Sequence, residues 1–225
     1  MAERAVGGRR DEARRNDAAI LASARAVFVA DPDAPIAAVA EHAGVNISSL
    51  YRRFASKEDL LRKLCSDGLQ TYVDVAREAV ANDTDDPWEV FVTFMQRIVD
   101  TDTHALTVKL AGRFDPGDHD WHNAVEAEAL NQQLVARAQN ASVLREDVNP
   151  DDLSFVFEQL TGVKGATPER TAELRARYLA LHLDGLRAPG HTPLPGPPPT
   201  GEEQRARWEP RPHNDPPPKR RRSMM

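Results

Sequence analysis

Cysteine is nearly absent: Cys65 stands alone among 225 residues, so no disulfide can close within the chain, which suits a reducing compartment. Long apolar runs are missing too, and none approaches the roughly 18 residues needed to span a bilayer. The opening Met1-Ala2-Glu3-Arg4 leads into charge, where a signal peptide would carry an apolar stretch. Together these absences give the expectation of a cytoplasmic protein with no membrane partner. Positive charge is also in short supply, with 29 Lys and Arg against 35 Asp and Glu and a formal net charge of -6. Nucleic-acid binders often carry a basic domain, but the contacting face decides, not the sum. Any such partner therefore requires a local basic face. Alternation of the strand type, bounded by turn residues, is absent throughout, as is any internal repeat.

What is present reads as helix almost everywhere, so the expected fold class is all-α. Ile20, Ala24, Val27 and Phe28 recur at helical spacing after Asn16, a residue suited to an N-cap. Asp31-Pro32-Asp33 breaks the pattern, and Pro35 stands where a second helix would begin. That helix carries Ile36, Val39, Ala40 and Ala43 and stops at Gly44. Asn46 can cap a third short helix with Leu50, Tyr51 and Phe54, and Ser56-Lys57-Glu58-Asp59 fits a capping box opening a long fourth helix. Further helices are expected at Trp88 to Val99, Ala105 to Phe114, His122 to Ala138, Asp151 to Leu160 and Pro168 to Leu186. From Ala188 prolines crowd in, so the folded part is expected to end near Leu186 or Arg187. The division that follows is a basic leader over 1–14, a small head over 15–61, a larger helical domain over 62–187 and a disordered proline-rich tail over 188–225.

Two short helices joined by a tight turn containing glycine form the geometry that lets the second enter a major groove. Ala40 and Ala43 are small enough for close crossing, and Val45 and Leu50 tie the turn to the core. Asn46, Ile47, Ser48, Ser49, Tyr51, Arg52 and Arg53 are left facing outward. With Lys57, the two arginines supply the local basic face, and no acid lies between Val45 and Lys57. Short polar groups at a helix N-terminus can meet base edges or phosphates, and Ile47 can meet a thymine methyl. Arg9, Arg10, Arg14 and Arg15 have two readings, a basic arm along the DNA backbone or a solvated leader.

Ala43-Gly44-Val45-Asn46 followed by Leu50-Tyr51-Arg52-Arg53-Phe54-Ala55-Ser56-Lys57-Glu58-Asp59-Leu60-Leu61 resembles the signature of the TetR family of repressors. The resemblance implies that Tyr51 and Lys57 touch DNA phosphates and that Phe54 packs in the head. It implies base contacts for Asn46, Ile47, Ser48, Ser49 and Arg52. Ser48 departs from the glycine common at its position, and Ala34-Pro35 from the usual threonine cap. The resemblance further implies a homodimer on a pseudo-palindromic operator in double-stranded DNA, and a small-molecule inducer that shifts the population toward a form with splayed heads.

In the larger domain no motif appears, only stripes. Leu153, Val156, Phe157 and Leu160 make one; in the last helix Leu174, Tyr178 and Leu181 make a second, and Leu179, Leu183 and Leu186 a third. A helix apolar on two sides buries one in its own domain and offers the other to a partner. Leu153, Phe157, Leu160, Tyr178 and Leu181 are the expected dimer contacts. Tyr72, Phe91, Phe94, Met95, Leu110, Phe114, Trp121 and Phe155 are the candidates to line an inducer pocket, with core packing as the alternative for each.

Three features invite other chemistry. The loop Asp115-Pro116-Gly117-Asp118-His119-Asp120-Trp121-His122 has the residues for a divalent metal, or it is a turn with Asp118 or Asp120 as a helix cap. Cys65 is either a redox sensor or a buried filler. Lys219-Arg220-Arg221-Arg222 either touches a polyanion or is a solvated tail. No metal and no cofactor is expected, and no catalytic residue. The competing functions are an activator or ligand-independent regulator, a metal-dependent enzyme using the Asp115–His122 loop, and a purely structural helical dimer.

Overall fold

Where caps and breakers fall decides where these helices begin and end. In the computed structural model the described residues are 2–83, 86–101, 110, 113–189 and 192–206, with side chains described from Asn16 onward. Among them the chain forms α1 (Ala2–Ala30), α2 (Ile36–His42), α3 (Ile47–Tyr51), α4 (Lys57–Ala81), α5 (Pro87–Thr101), α6 (Asp118–Asn140), α7 (Pro150–Thr161), α8 (Pro168–Leu186) and α9 (Gly201–Ala206). The chain is all-α, as its periodicity implies. Of the helix expected over Ala105 to Phe114, only Leu110, Arg113 and Phe114 lie within the described residues; Lys219 to Arg222 lie outside them.

One boundary moves well away from its expected place. Helix α1 starts at Ala2, so Asn16 is an interior helical residue and caps nothing. The stretch before Asn16 is rich in Ala, Arg and Glu and holds no proline, so nothing in it stops a helix except Gly7-Gly8. Elsewhere local chemistry prevails. Asn149, Ser56 and Thr167 each accept the N–H of the third helical residue, capping α7, α4 and α8, and Pro150 and Pro168 occupy first helical positions.

Two apolar cores result. The head core gathers Ile20, Ala24 and Phe28 of α1, Ile36, Val39 and Ala40 of α2, Leu50 of α3, and Leu60, Leu61, Leu64 and Cys65 of α4. The second core fills the larger domain with residues of α4 to α8, from Tyr72 through Leu186. Helix α4 belongs to both: its first turns pack in the head and its last against α5 and α6, with the most extensive helix–helix contact running along α6.

The proline-rich segment corrects the expectation that order ends near Arg187. Leu144 pairs with Arg187 in an isolated antiparallel bridge, and Thr192, Leu194, Pro199 and Gln204 each bond to a residue between Arg145 and Asp151. Arg145 Nη1 donates to the Gly185 carbonyl and its Nη2 to the Thr192 carbonyl at 2.6 Å. The Leu194 N–H donates to Asp147 Oδ2 at 3.0 Å, and Asn149 Nδ2 to the Pro199 carbonyl at 2.7 Å. Prolines have less conformational freedom to lose on ordering. A few polar contacts can therefore hold this segment although it contributes little apolar burial.

Candidate functional site

The turn between α2 and α3 is built by backbone hydrogen bonds. The Val45 N–H reaches the Ala40 carbonyl at 3.0 Å and the Gly44 N–H the Glu41 carbonyl at 3.1 Å, the paired bonds of a Schellman ending. This ending needs a left-handed residue, and Gly44 sits at φ +65°. Asn46 then caps α3, its Oδ1 accepting the Ser48 N–H at 2.8 Å. Leu50 is fully buried beneath the helix, and Phe54 is half-buried against the same core. With Leu50 pointing in, Asn46, Ser48, Tyr51 and Arg52 stand exposed, Ile47 is 41% exposed, and Ser49 is half-buried. Arg52 Nη2 donates to Ser49 Oγ at 2.7 Å, which holds its guanidinium alongside α3.

The other two basic candidates are placed differently. Arg53 forms an ion pair with Asp17 of α1, which draws its charge back toward the first helix. Lys57 turns away from α3: its ammonium donates to the Pro32 carbonyl at 3.2 Å and the Ala34 carbonyl at 2.8 Å, and lies 5.2 Å from the centre of the Phe28 ring. Burial is the largest influence on this ammonium and lowers its pKa, while Asp33 opposes that shift. Arg52 and Arg53 are thus both exposed, Arg53 while paired with Asp17, and Lys57 is half-buried.

The eight residues considered for a pocket do not form one group. Tyr72, Phe91, Phe94 and Met95 lie together in the core of the larger domain. Tyr72 meets Phe94 edge-on at 5.9 Å and Phe157 edge-on at 6.3 Å, and Trp88 stacks on Phe91 at 5.8 Å. Phe155 is half-buried on α7, and Trp121 is 43% exposed on α6, so Trp121 does not line this core. Leu110 and Phe114 belong elsewhere again, buried in the core of the head. Sequence reasoning missed Asn131, whose Oδ1 accepts the Tyr72 hydroxyl at 2.8 Å inside the larger core. A polar residue sharing a helix face with Ala127, Leu134 and Val135 is the signal that could have found it.

The dimer candidates divide as well. Leu153, Phe157 and Leu160 are all at most 2% exposed within their own domain, so they offer nothing to a partner. Helix α8 does have two apolar sides: Leu179, Leu183 and Leu186 are buried, whereas Tyr178 and Leu181 are 45% and 60% exposed.

The remaining candidates have structural partners. Asp120 is at the third position of α6, where one carboxylate oxygen accepts the Gly117 N–H at 3.0 Å and the other the Ser66 hydroxyl. Both oxygens thereby fix the start of α6 against α4. Among the described residues no cluster of three or more His, Cys, Asp or Glu is arranged to hold a metal ion. Cys65 is buried in the head core, and burial pushes its thiol pKa up, the reverse of what a redox sensor needs. Among the described residues no helix is long and apolar enough to cross a membrane.

Comparison with known proteins agrees with this arrangement. Residues 20–64 match the model of the bacterial regulatory proteins of the tetR family, and residues 86–188 match the C-terminal domain of SbtR-like transcriptional regulators. No curated protein sequence matches significantly. A TetR transcription regulatory protein from Mycobacterium vanbaalenii is similar in structure, at 26% identity and a TM-score of 0.52, over 80% of this chain and 99% of that one. The ketosteroid transcriptional regulator KstR2 of Mycobacterium tuberculosis shares the fold at 20% identity and a TM-score of 0.57, over 77% and 95% of the two chains. So does the TetR family protein CprB from Streptomyces coelicolor A3(2), at 18% identity and 0.58, over 86% and 94%. With a helix-turn-helix head matched at one end and a regulator C-terminal domain over most of the rest, the chain belongs to the TetR family of DNA-binding transcriptional regulators and is not an enzyme.

Proposed function

We propose that this regulator is a homodimeric repressor, held on a pseudo-palindromic operator and released by a small-molecule inducer. The observation that supports the DNA-contact part is the outward face of α3, with Asn46, Ile47, Ser48, Tyr51 and Arg52 presented above a fully buried Leu50. In this reading Ile47, Ser48 and Ser49 meet base edges, the Asn46 amide and Arg52 add hydrogen bonds, and Tyr51 holds a phosphate. The exposed pair Tyr178 and Leu181 on α8 supports a second copy as partner. The aromatic core around Tyr72 and Phe94 supports an inducer with a largely apolar body. A cytoplasmic setting follows from acting on DNA in a bacterial cell.

The test is selection from random duplexes at a stated salt concentration, with wild type and Tyr51→Ala side by side. A palindrome enriched by wild type and lost in the variant is the expected result. Failure to enrich any sequence at moderate salt would remove the repressor reading. An activator would enrich the same kind of site, and reporter expression in a deletion strain separates the two by its direction.

A further inference from the structure

At the end remote from the head, the core of the larger domain is closed by a loop. Asp120 ties the start of α6 to Ser66 near the head, while Arg137 at its other end donates to the Asn82 carbonyl, just past α4. Beyond that end the chain turns at Ser142, which holds φ 58° in a Schellman ending. Its N–H reaches the Gln139 carbonyl at 2.8 Å, and the Val143 N–H the Ala138 carbonyl at 3.0 Å. The loop then sends Leu144 and Val148 into the core, both at most 4% exposed. Gln139 Nε2 donates to the Arg145 and Val148 carbonyls at 3.1 and 2.8 Å, which keeps the loop in one compact piece.

The segment 192–206 grips this loop from outside, and it lies beyond the stretch matched to the regulator C-terminal domain. Thr192, Leu194, Pro199 and Gln204 bond in that order to Arg145, Asp147, Asn149 and Asp151, so the two stretches run in step. All four attachments are polar, and residues 192–198 are exposed. Such bonds replace bonds to water and net little, so a segment held by them opens more cheaply than packed helices. Parting the helices would instead expose Phe91, Phe94 and Phe157.

We infer that loop 141–149 is a lid on the core and segment 192–206 the latch that holds it, making this end the point of entry for a small apolar molecule. The entry route rests on the reading that the core takes an inducer; the lid and latch do not. Asn149 allows the latch to be separated from the helix it also caps. Its Oδ1 accepts the Asp152 N–H at 3.0 Å, while its Nδ2 donates to the Pro199 carbonyl. Asn149→Asp keeps the acceptor and loses the donor, and Gln204→Glu likewise loses the donor that reaches the Asp151 carbonyl.

The experiment places a thiol under the lid with Ala138→Cys, and another nearer the head on the same helix with Ala127→Cys, both at buried core positions of the full-length chain. Reaction with N-ethylmaleimide is timed with and without the pair Asn149→Asp and Gln204→Glu, the buried Cys65 of the parent giving the background. Unlatching is expected to speed labelling at Ala138→Cys by about tenfold, several-fold for each bond lost, and to leave Ala127→Cys unchanged. Amide exchange should quicken over residues 143–149 and at Leu194. Equal acceleration at both thiols would mean general loosening and would overturn the lid, as would an unchanged rate at Ala138→Cys. A Leu194 amide already unprotected in wild type would overturn the latch. If the thiols behave as expected but no small molecule releases the protein from DNA, the inducer reading fails and the lid and latch stand.

Discussion

The Tyr72 hydroxyl donates a 2.8 Å hydrogen bond to Asn131 Oδ1 in the middle of a core otherwise made of aromatic and aliphatic side chains. Among the described residues helices α4 and α6, which carry the pair, make the most extensive helix–helix contact, and the pair lies buried within it. Nearer the head the same seam holds Asn123 donating to Gln70 Oε1, and on its exposed side Arg77 grips Glu126 with two bonds of 2.6 and 2.7 Å.

Breaking only one side of the Tyr72–Asn131 pair is the costly change. Tyr72→Phe is expected to lower stability by about 1 kcal/mol, the usual net worth of a buried hydrogen bond. Adding Asn131→Leu removes the orphaned acceptor, so the double variant should regain that loss. Urea unfolding of the four proteins in a cycle measures this; strict additivity of the two substitutions would refute the coupling.

Leu110 is wholly buried in the head although it lies within the stretch matched to the regulator C-terminal domain. Leu110→Ala is expected to cost roughly 2–5 kcal/mol, as cavity-forming core substitutions do. Amide exchange should then accelerate in α1 and α4 of the head. Loss of protection confined to the larger domain would contradict the packing described for Leu110.

Gly44 occupies the left-handed region with open space where a Cβ would stand. Alanine there meets no clash, so the penalty is backbone strain alone, about 1–2 kcal/mol. Asparagine, which tolerates this region, should cost less. Thermal unfolding of the two variants should rank them in that order, and equal midpoints would count against a strained turn.

Tyr178 and Leu181 remain exposed on α8 while Leu153, Phe157 and Leu160 are consumed by the domain's own core. Leu181→Glu is therefore expected to yield a folded monomer in sedimentation equilibrium. Leu160→Glu should instead unfold the domain. A dimer that survives Leu181→Glu together with Tyr178→Glu would mean that another surface joins the protomers.

Asp147 has its pKa pulled far below the ordinary carboxylate range, first by the hydrogen bond from Arg145 and then by the Leu194 N–H. A depressed carboxyl pKa stabilises the folded arrangement above the group's unfolded value. That contribution fades as pH falls from the ordinary carboxylate range toward the lower folded value. The protection factor of the Leu194 amide should accordingly drop between about pH 4 and pH 2. Asp147→Asn should show low protection throughout, and a wild-type value independent of pH over that window would exclude the carboxylate as the clasp.

Much of the head could be read directly from the chain. Its instructions are local: a capping asparagine at 46, a capping serine at 56, a left-handed glycine at 44 and an apolar Leu50 each act within a few residues. The same holds for α8, bounded by Thr167-Pro168 as the residues require, and for the family signature over 43–61. Arg53 and Lys57 were legible as a basic cluster, but their engagement within the fold was not. Asp17 and the Pro32 and Ala34 carbonyls that claim them are far away in sequence.

Helical period, caps and breakers are properties of neighbouring residues, so the fold class and the turns were already written in the chain. Which apolar stripe found which neighbour was settled only by tertiary packing. Packing sent Leu110 and Phe114 to the head and Leu153, Phe157 and Leu160 inward, and it left Tyr178 and Leu181 outside. It also laid Thr192 against Arg145 and Pro199 against Asn149. Periodicity says that a side is apolar, but burial is won in competition among all the surfaces the chain brings together. That outcome depends on contacts between residues tens of positions apart.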